Sequence, residues 1–171
     1  MHTGDFRLAS GRRSRFYIDA RSTTMSGEGQ VVIGALGLAL LAERGWRPQA
    51  VGGLTLGADP VAYAIAAAAH RDGVLLDAFT IRKQLKDHGT GRRIEGCLPQ
   101  GASVVVVEDV ITSGASALEA IRAVEGEGAK VLGVLAVIDR QEGGRAALER
   151  DGYAVEALVT AADLGLREAQ P

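Results

Sequence analysis

Cysteine is all but missing from this chain, and the single one, Cys97, has no partner for an intrachain disulfide. Without a CxxC pair or a Cys-His pattern beside it, a redox or nucleophilic role has no support, and a lone thiol fits a reducing compartment. Long hydrophobic runs are missing too. The longest, Ala64 to Ala69, falls far short of the ~20 residues that cross a bilayer. No basic n-region, apolar h-region and cleavage site open the sequence, so the expectation is a cytoplasmic protein. Nor does one sign of charge prevail: 19 Lys and Arg face 21 Asp and Glu, and a formal net charge of −2 argues against a general nucleic-acid binder. Repeats and low-complexity tracts are absent. What remains is 171 residues with 47% hydrophobic content spread evenly, enough for one domain with its own core.

Periodicity and breakers divide the chain into alternating elements. Gln30 to Glu43, Pro60 to Arg71, Ala115 to Glu125 and Gly144 to Arg150 read as helices. Ala50 to Leu56, Leu75 to Arg82, Ser103 to Val110, Lys130 to Asp139 and Tyr153 to Thr160 read as strands. Strands alternating with helices predict an α/β fold, a mainly parallel sheet flanked by helices on both sides. That architecture alone assigns no function.

Residues 104–117 read Val-Val-Val-Val-Glu-Asp-Val-Ile-Thr-Ser-Gly-Ala-Ser-Ala. Four consecutive β-branched residues favour a strand covered on both faces. Glu108 and Asp109 then emerge at its carboxyl end, where open α/β sheets keep their ligands. Two carboxylates side by side can accept hydrogen bonds from vicinal ribose hydroxyls. Thr112, Ser113, Gly114, Ala115 and Ser116 follow as a turn into a helix, whose backbone N–H groups and dipole suit a phosphate dianion. The string resembles the phosphoribosyl-pyrophosphate (PRPP) motif of type I phosphoribosyltransferases: hydrophobic residues, two acids, two hydrophobics, then Thr-[ST/A]-Gly-x-[ST].

Between Arg82 and Ser103 no period is convincing, and structureless stretches longer than ~12–15 residues are usually lids, binding loops or disordered. Arg82, Lys83, Lys86, Arg92 and Arg93 against Asp87 make residues 82–93 carry +4 in a chain of net −2. Gly89 and Gly91 allow large backbone changes, so such a loop can close over an anion and reopen. Arg82-Lys83-x-x-Lys86-Asp87-His88-Gly89-x-Gly91, with Ile94-Glu95-Gly96 after it, resembles the mobile catalytic loop of the orotate phosphoribosyltransferases. Phe6-x-Leu8-x-Ser10-Gly11-x-x-Ser14-x-Phe16-Tyr17-x-Asp19 is similar to that family's opening stretch, which shapes the base pocket. Together the matches cover essentially the whole chain.

The resemblance implies transfer of ribose 5-phosphate from PRPP to orotate, forming orotidine 5′-monophosphate and pyrophosphate in de novo pyrimidine biosynthesis. It implies a single domain over residues 1–171, with a hood and base-pocket segment at 1–29 and a mobile loop at 83–102. Asp109, Lys86 and His88 are the catalytic candidates. Arg82, Lys83, Glu108, Asp109 and Thr112 to Ser116 would bind PRPP. Arg140, just past a strand, would clamp the orotate carboxylate, with Tyr17 as a pocket wall and backbone groups of Thr112 facing the ring. Thr55, Leu56, Gly57, Ala58 and Asp59 would form the pyrophosphate loop. Mg²⁺ is expected without a dedicated protein ligand, and so is a homodimer in which the mobile loop reaches the partner's site. Two departures stand out: Ala9 replaces a lysine that many relatives carry, and Thr55 to Asp59 contain no lysine. Rival readings are transfer to another base, for which a carboxylate clamp has no purpose, and a non-catalytic PRPP-binding regulator, for which no DNA-binding surface is evident.

Overall fold

Val104 to Val107, wholly buried, form the middle of a six-stranded sheet around which most of the chain is wound. The computed structural model describes residues 2–7, 13–17, 19–83 and 93–166. Its elements in chain order are β1 (His2–Arg7), β2 (Arg13–Tyr17), α1 (Arg21–Thr24), α2 (Gly27–Glu43), β3 (Ala50–Leu54), α3 (Ala58–Arg71), β4 (Asp77–Ile81), β5 (Ile94–Gly96), β6 (Ser103–Ile111), α4 (Ala115–Gly126), β7 (Lys130–Asp139), α5 (Gly144–Arg150) and β8 (Val155–Thr160). β1 and β2 pair antiparallel as a separate ribbon. The other six lie in the order β5-β4-β3-β6-β7-β8, all parallel except β5, which runs antiparallel along β4.

Side chains on a strand alternate between faces, and the valine run shows where each face goes. Val104 and Val106 pack in a cluster with Ile121 and Val124 of α4 and Leu148 of α5. Val105 and Val107 join Ile33 of α2 and Val61 and Ile65 of α3 on the opposite side. Both faces are thus buried, as a continuous β-branched run requires. α2 starts where the Ser26 hydroxyl accepts the Gly29 N–H at 3.0 Å and stops before Gly45, at φ 66°.

From β3 the chain winds outward to β4 and β5, then returns to lay β6 on the other side of β3 and continues to β7 and β8. The strand order therefore reverses between β3 and β6. A crevice opens at the carboxyl ends of such a pair, and it is where open sheets take ligands.

β6 carries Glu108 and Asp109 near its carboxyl end, as expected, and runs past Val110 to Ile111 because the long β7 continues the ladder, pairing Glu108 with Ala136 and Val110 with Ile138. The stretch 83–102 is not structureless throughout, since β5 pairs Ile94 with Ile81 and covers the edge of β4, while Ile94 and Leu98 pack on the core. Within residues 1–29, Ala20 is buried in the same cluster as Ile33, and α2 begins at Gly27.

Candidate active site

Alternation along β6 has a direct chemical result: Glu108 and Asp109, adjacent in sequence, leave the strand on opposite faces. Glu108 follows the valines that face α4 and lines a small cavity with Thr112, Ser113, Gly114, Ala115 and Ser116. Asp109 follows those that face α2 and α3 and points to the turn after β3, where a Cβ on Gly57 would stand 2.6 Å from its Oδ1. The two acids thus tie together the loops at either side of the strand-order reversal.

Burial acts on both. Glu108 is 6% exposed, and its Oε1 has no hydrogen-bond partner among the described residues. Desolvation, reinforced by the charge of Asp109 and opposed by that of Lys83, pushes its carboxyl up to about 8. Burial also raises Asp109 above its ordinary value, but the Val110 N–H donated to its Oδ1 at 2.9 Å and the charge of Arg21 pull the other way. At neutral pH Glu108 is therefore the protonated member, able to donate as well as accept. Arg21, which also holds Asp19 through Nε to Oδ1 at 2.9 Å, is a cation near the site that sequence reasoning missed; nothing in its spacing marks it.

After β6, Gly114 adopts φ 81° at the N-cap of α4, a conformation that disfavours any side chain. It makes the turn tight enough for the backbone N–H groups of the first helical turn to converge. No hydrogen bond among the described residues occupies the hydroxyls of Thr112, Ser113 or Ser116. After β3, by contrast, Thr55 Oγ1 donates to Asp59 Oδ2 at 2.6 Å, and Thr80 Oγ1 donates to the other oxygen. Asp59 braces the turn instead of capping α3, whose N-cap is Gly57. Leu56 is 58% exposed, and the Thr55–Leu56 peptide is cis.

The cationic loop is held at its neck. The Arg82 N–H donates to the Arg93 carbonyl at 2.9 Å, the Arg93 Nε donates back to the Arg82 carbonyl at 3.0 Å, and the Arg82 Nε pairs with Glu95 at 3.1 Å. Arg93 also pairs with Glu119 of α4. Lys83 is exposed. Lys86 and His88 lie outside the described residues, as does the side chain of Tyr17, whose backbone ends β2.

Arg140 follows β7, one strand over from the turn that ends β6, and its N–H donates to the Ile111 carbonyl at 3.0 Å. Arg140 is only 7% exposed, and its Nη2 lies 2.7 Å from Oε1 of Glu142. Glu142 is the second residue the sequence did not single out. Its only signal is an opposite charge two positions from Arg140, ahead of Gly143 and Gly144.

Residues 32–158 match the family model of the phosphoribosyl transferase domain. The chain is 45% identical to an orotate phosphoribosyltransferase of Aquifex aeolicus over 93% of its own length and 86% of that protein's. Identity to the orotate phosphoribosyltransferase of Rhodopirellula baltica is 44%, covering 97% of this chain and 88% of the relative. Among solved structures, the Mycobacterium tuberculosis orotate phosphoribosyltransferase in complex with PRPP superimposes with a TM-score of 0.80 at 42% identity, over 94% of this chain and 90% of the other.

Proposed function

The chain belongs to the orotate phosphoribosyltransferases, and from that premise we propose how its residues move ribose 5-phosphate from PRPP to a ring nitrogen of orotate. The reaction yields orotidine 5′-monophosphate and pyrophosphate, a step of pyrimidine biosynthesis. The observation that carries the division of roles is the tight turn at Thr112–Ser116, with Glu108 beneath it on the same face of β6. In this reading the turn takes the 5-phosphate, and the acids of β6 take the ribose hydroxyls.

Departure of pyrophosphate leaves positive charge on the sugar and negative charge on the leaving group, so catalysis needs preorganised charge on both sides. Asp109, better held as an anion than Glu108, sets negative charge beside the developing cation; Glu108 hydrogen-bonds a hydroxyl in either direction. The pyrophosphate sits against the turn Thr55–Asp59. That turn carries no lysine, so Arg82, Lys83, Lys86 and His88 supply its counter-charge, with Lys86 and His88 able to pass a proton. Arg140 holds the orotate carboxylate, and Tyr17 walls the base pocket.

Mg²⁺ is part of the proposal. Among the described residues no cluster of three or more His, Cys, Asp or Glu could hold a metal ion, and the nearest donors, Asp109 and Glu108, are hard oxygens of the kind this ion accepts. Asp109, the better anion of the two, would face an ion carried mainly by pyrophosphate oxygens, ribose hydroxyls and water, and that ion would supply charge neutralisation for the leaving group. A homodimer is supported by the outer face of α2, which leaves Val31, Val32 and Leu36 62%, 48% and 50% exposed; burying such a stripe against a second copy is favourable. A cytosolic setting is supported by the lone, exposed Cys97, and among the described residues no helix is long and apolar enough to cross a membrane.

The test is the fall in orotate ultraviolet absorbance when the protein meets orotate, PRPP and Mg²⁺, with uracil and hypoxanthine in parallel. Orotate-dependent pyrophosphate release without turnover of the other bases is the expected result. Turnover of uracil or hypoxanthine instead, or PRPP binding without any turnover, would contradict the reading.

A further inference from the structure

Arg140 and Glu142 are two residues apart, yet their side chains meet at 2.7 Å while only 5% and 6% exposed. A regular helix does not bring residues two apart together in this way, and β7 has already ended at Asp139. The chain does it through an irregular turn: Gln141 takes φ 59°, its N–H donates to Asp139 Oδ1 at 2.8 Å, and its Oε1 accepts the Ala162 N–H at 3.0 Å. A left-handed residue pinned at both ends costs backbone energy. Burying two charges costs several kcal/mol more, and an apolar pair of like volume often serves stability as well or better. Stability alone therefore gives little reason for this arrangement.

The same turn bears on the phosphate cradle. Gly144, two residues past Glu142, lies so close to it that a Cβ there would stand 2.4 Å from the Thr112 carbonyl oxygen and 2.7 Å from the Gly114 nitrogen. Arg140 is joined to the end of β6 by its own N–H. The backbone that carries Arg140 and Glu142 is thus joined at one end to β6 and packed at the other against the Thr112–Ser116 turn, the phosphate cradle of the proposed function.

We infer that Glu142 is a positioning residue for the base: its carboxylate forms a buried ion pair with one amino group of Arg140, at 2.7 Å though without hydrogen-bond geometry, and so holds the guanidinium in place for the orotate carboxylate. The inference rests on the assignment of Arg140 to orotate. An arginine otherwise loses much rotamer freedom on binding, and a partner that orders it beforehand lowers that cost. Because Glu142 acts through Arg140 and not on the sugar or the leaving group, its effect falls on orotate affinity and spares the chemistry.

Steady-state kinetics test this with orotate and PRPP varied in turn for Glu142→Ala, Glu142→Gln, Arg140→Ala and the Arg140→Ala/Glu142→Ala double variant. Glu142→Ala should raise the orotate KM about tenfold, the effect of one charge-assisted contact, while kcat and the PRPP KM stay within about threefold. Glu142→Gln keeps an oxygen acceptor at the same reach and should confine the rise to about threefold; if the alanine variant does not fold, this isosteric change carries the test, and an unchanged orotate KM would overturn the role. In the double variant the loss of Glu142 should add nothing to the loss of Arg140. An equal rise in both KM values would show a merely structural role, and a fall in the orotate KM would show that Glu142 competes with substrate; either overturns the inference. An unchanged orotate KM in Arg140→Ala would remove the assignment of Arg140 itself, whereas a raised value there with none in Glu142→Ala would remove Glu142 alone.

Discussion

Two turns stand side by side at the reversal of strand order, and they are built in opposite ways. The turn after β3 has its side-chain polar groups occupied: Thr55 of the turn and Thr80 of the neighbouring β4 both donate to Asp59. The turn after β6 keeps its hydroxyls available and converges its N–H groups through Gly114 at φ 81°. Both precede a helix and neither includes a lysine or arginine, so in this reading the first meets the pyrophosphate with backbone N–H groups alone, whereas the second adds its hydroxyls for the 5-phosphate. What a strand-to-helix turn offers an anion thus depends on which of its donors are already satisfied.

The largest expected effect follows from the missing cation in the β3 turn. If the 82–93 loop alone neutralises the leaving pyrophosphate, Lys86→Ala should lower kcat by about a hundredfold or more, measured at saturating orotate and PRPP; loss of only a modest fraction would show that the charge is supplied elsewhere. Next comes the cradle. Gly114→Val meets both a positive φ and Leu148 Cγ at 3.2 Å from a Cβ, so the PRPP KM should rise about tenfold or more.

Glu108 sharpens the comparison through pH. Its carboxyl is ordinarily near 4.5 and is raised to about 8 in the fold, so between those values the folded protein holds a proton that the unfolded chain has released. Stability must then fall as pH rises through that window. Glu108→Gln removes the dependence. Thermal melts at pH 5 and pH 9 should show the wild type losing roughly 10 °C more than the variant, and parallel losses would contradict the burial argument. The smallest effect is expected at Thr80→Val, which takes one of two hydroxyls from Asp59 and should raise the KM for pyrophosphate in the reverse reaction by only about two- to fivefold.

How far the sequence revealed this depends on whether the signal was local. The β6 valines, the two acids and the Thr-Ser-Gly turn are contiguous, so both the sheet centre and the cradle were legible, although β6 proved longer because its end is set by the partner strand β7. β5 was hidden, since a three-residue strand covering an edge has no period of its own. Arg140 was placed correctly along the chain, but its burial against Glu142 depends on Gln141 at φ 59°, and glutamine carries no turn signal. Arg21 reaches Asp109 only through tertiary packing.

The central claim is that the two turns divide the ends of PRPP between them, and ribose 5-phosphate, which lacks the pyrophosphate, tests it most directly. Calorimetric titration should show that Gly114→Val weakens ribose 5-phosphate binding about tenfold or more, while Thr55→Val and Thr80→Val leave it unchanged. Binding that survives the change at Gly114 but falls with the changes in the β3 turn would contradict the account.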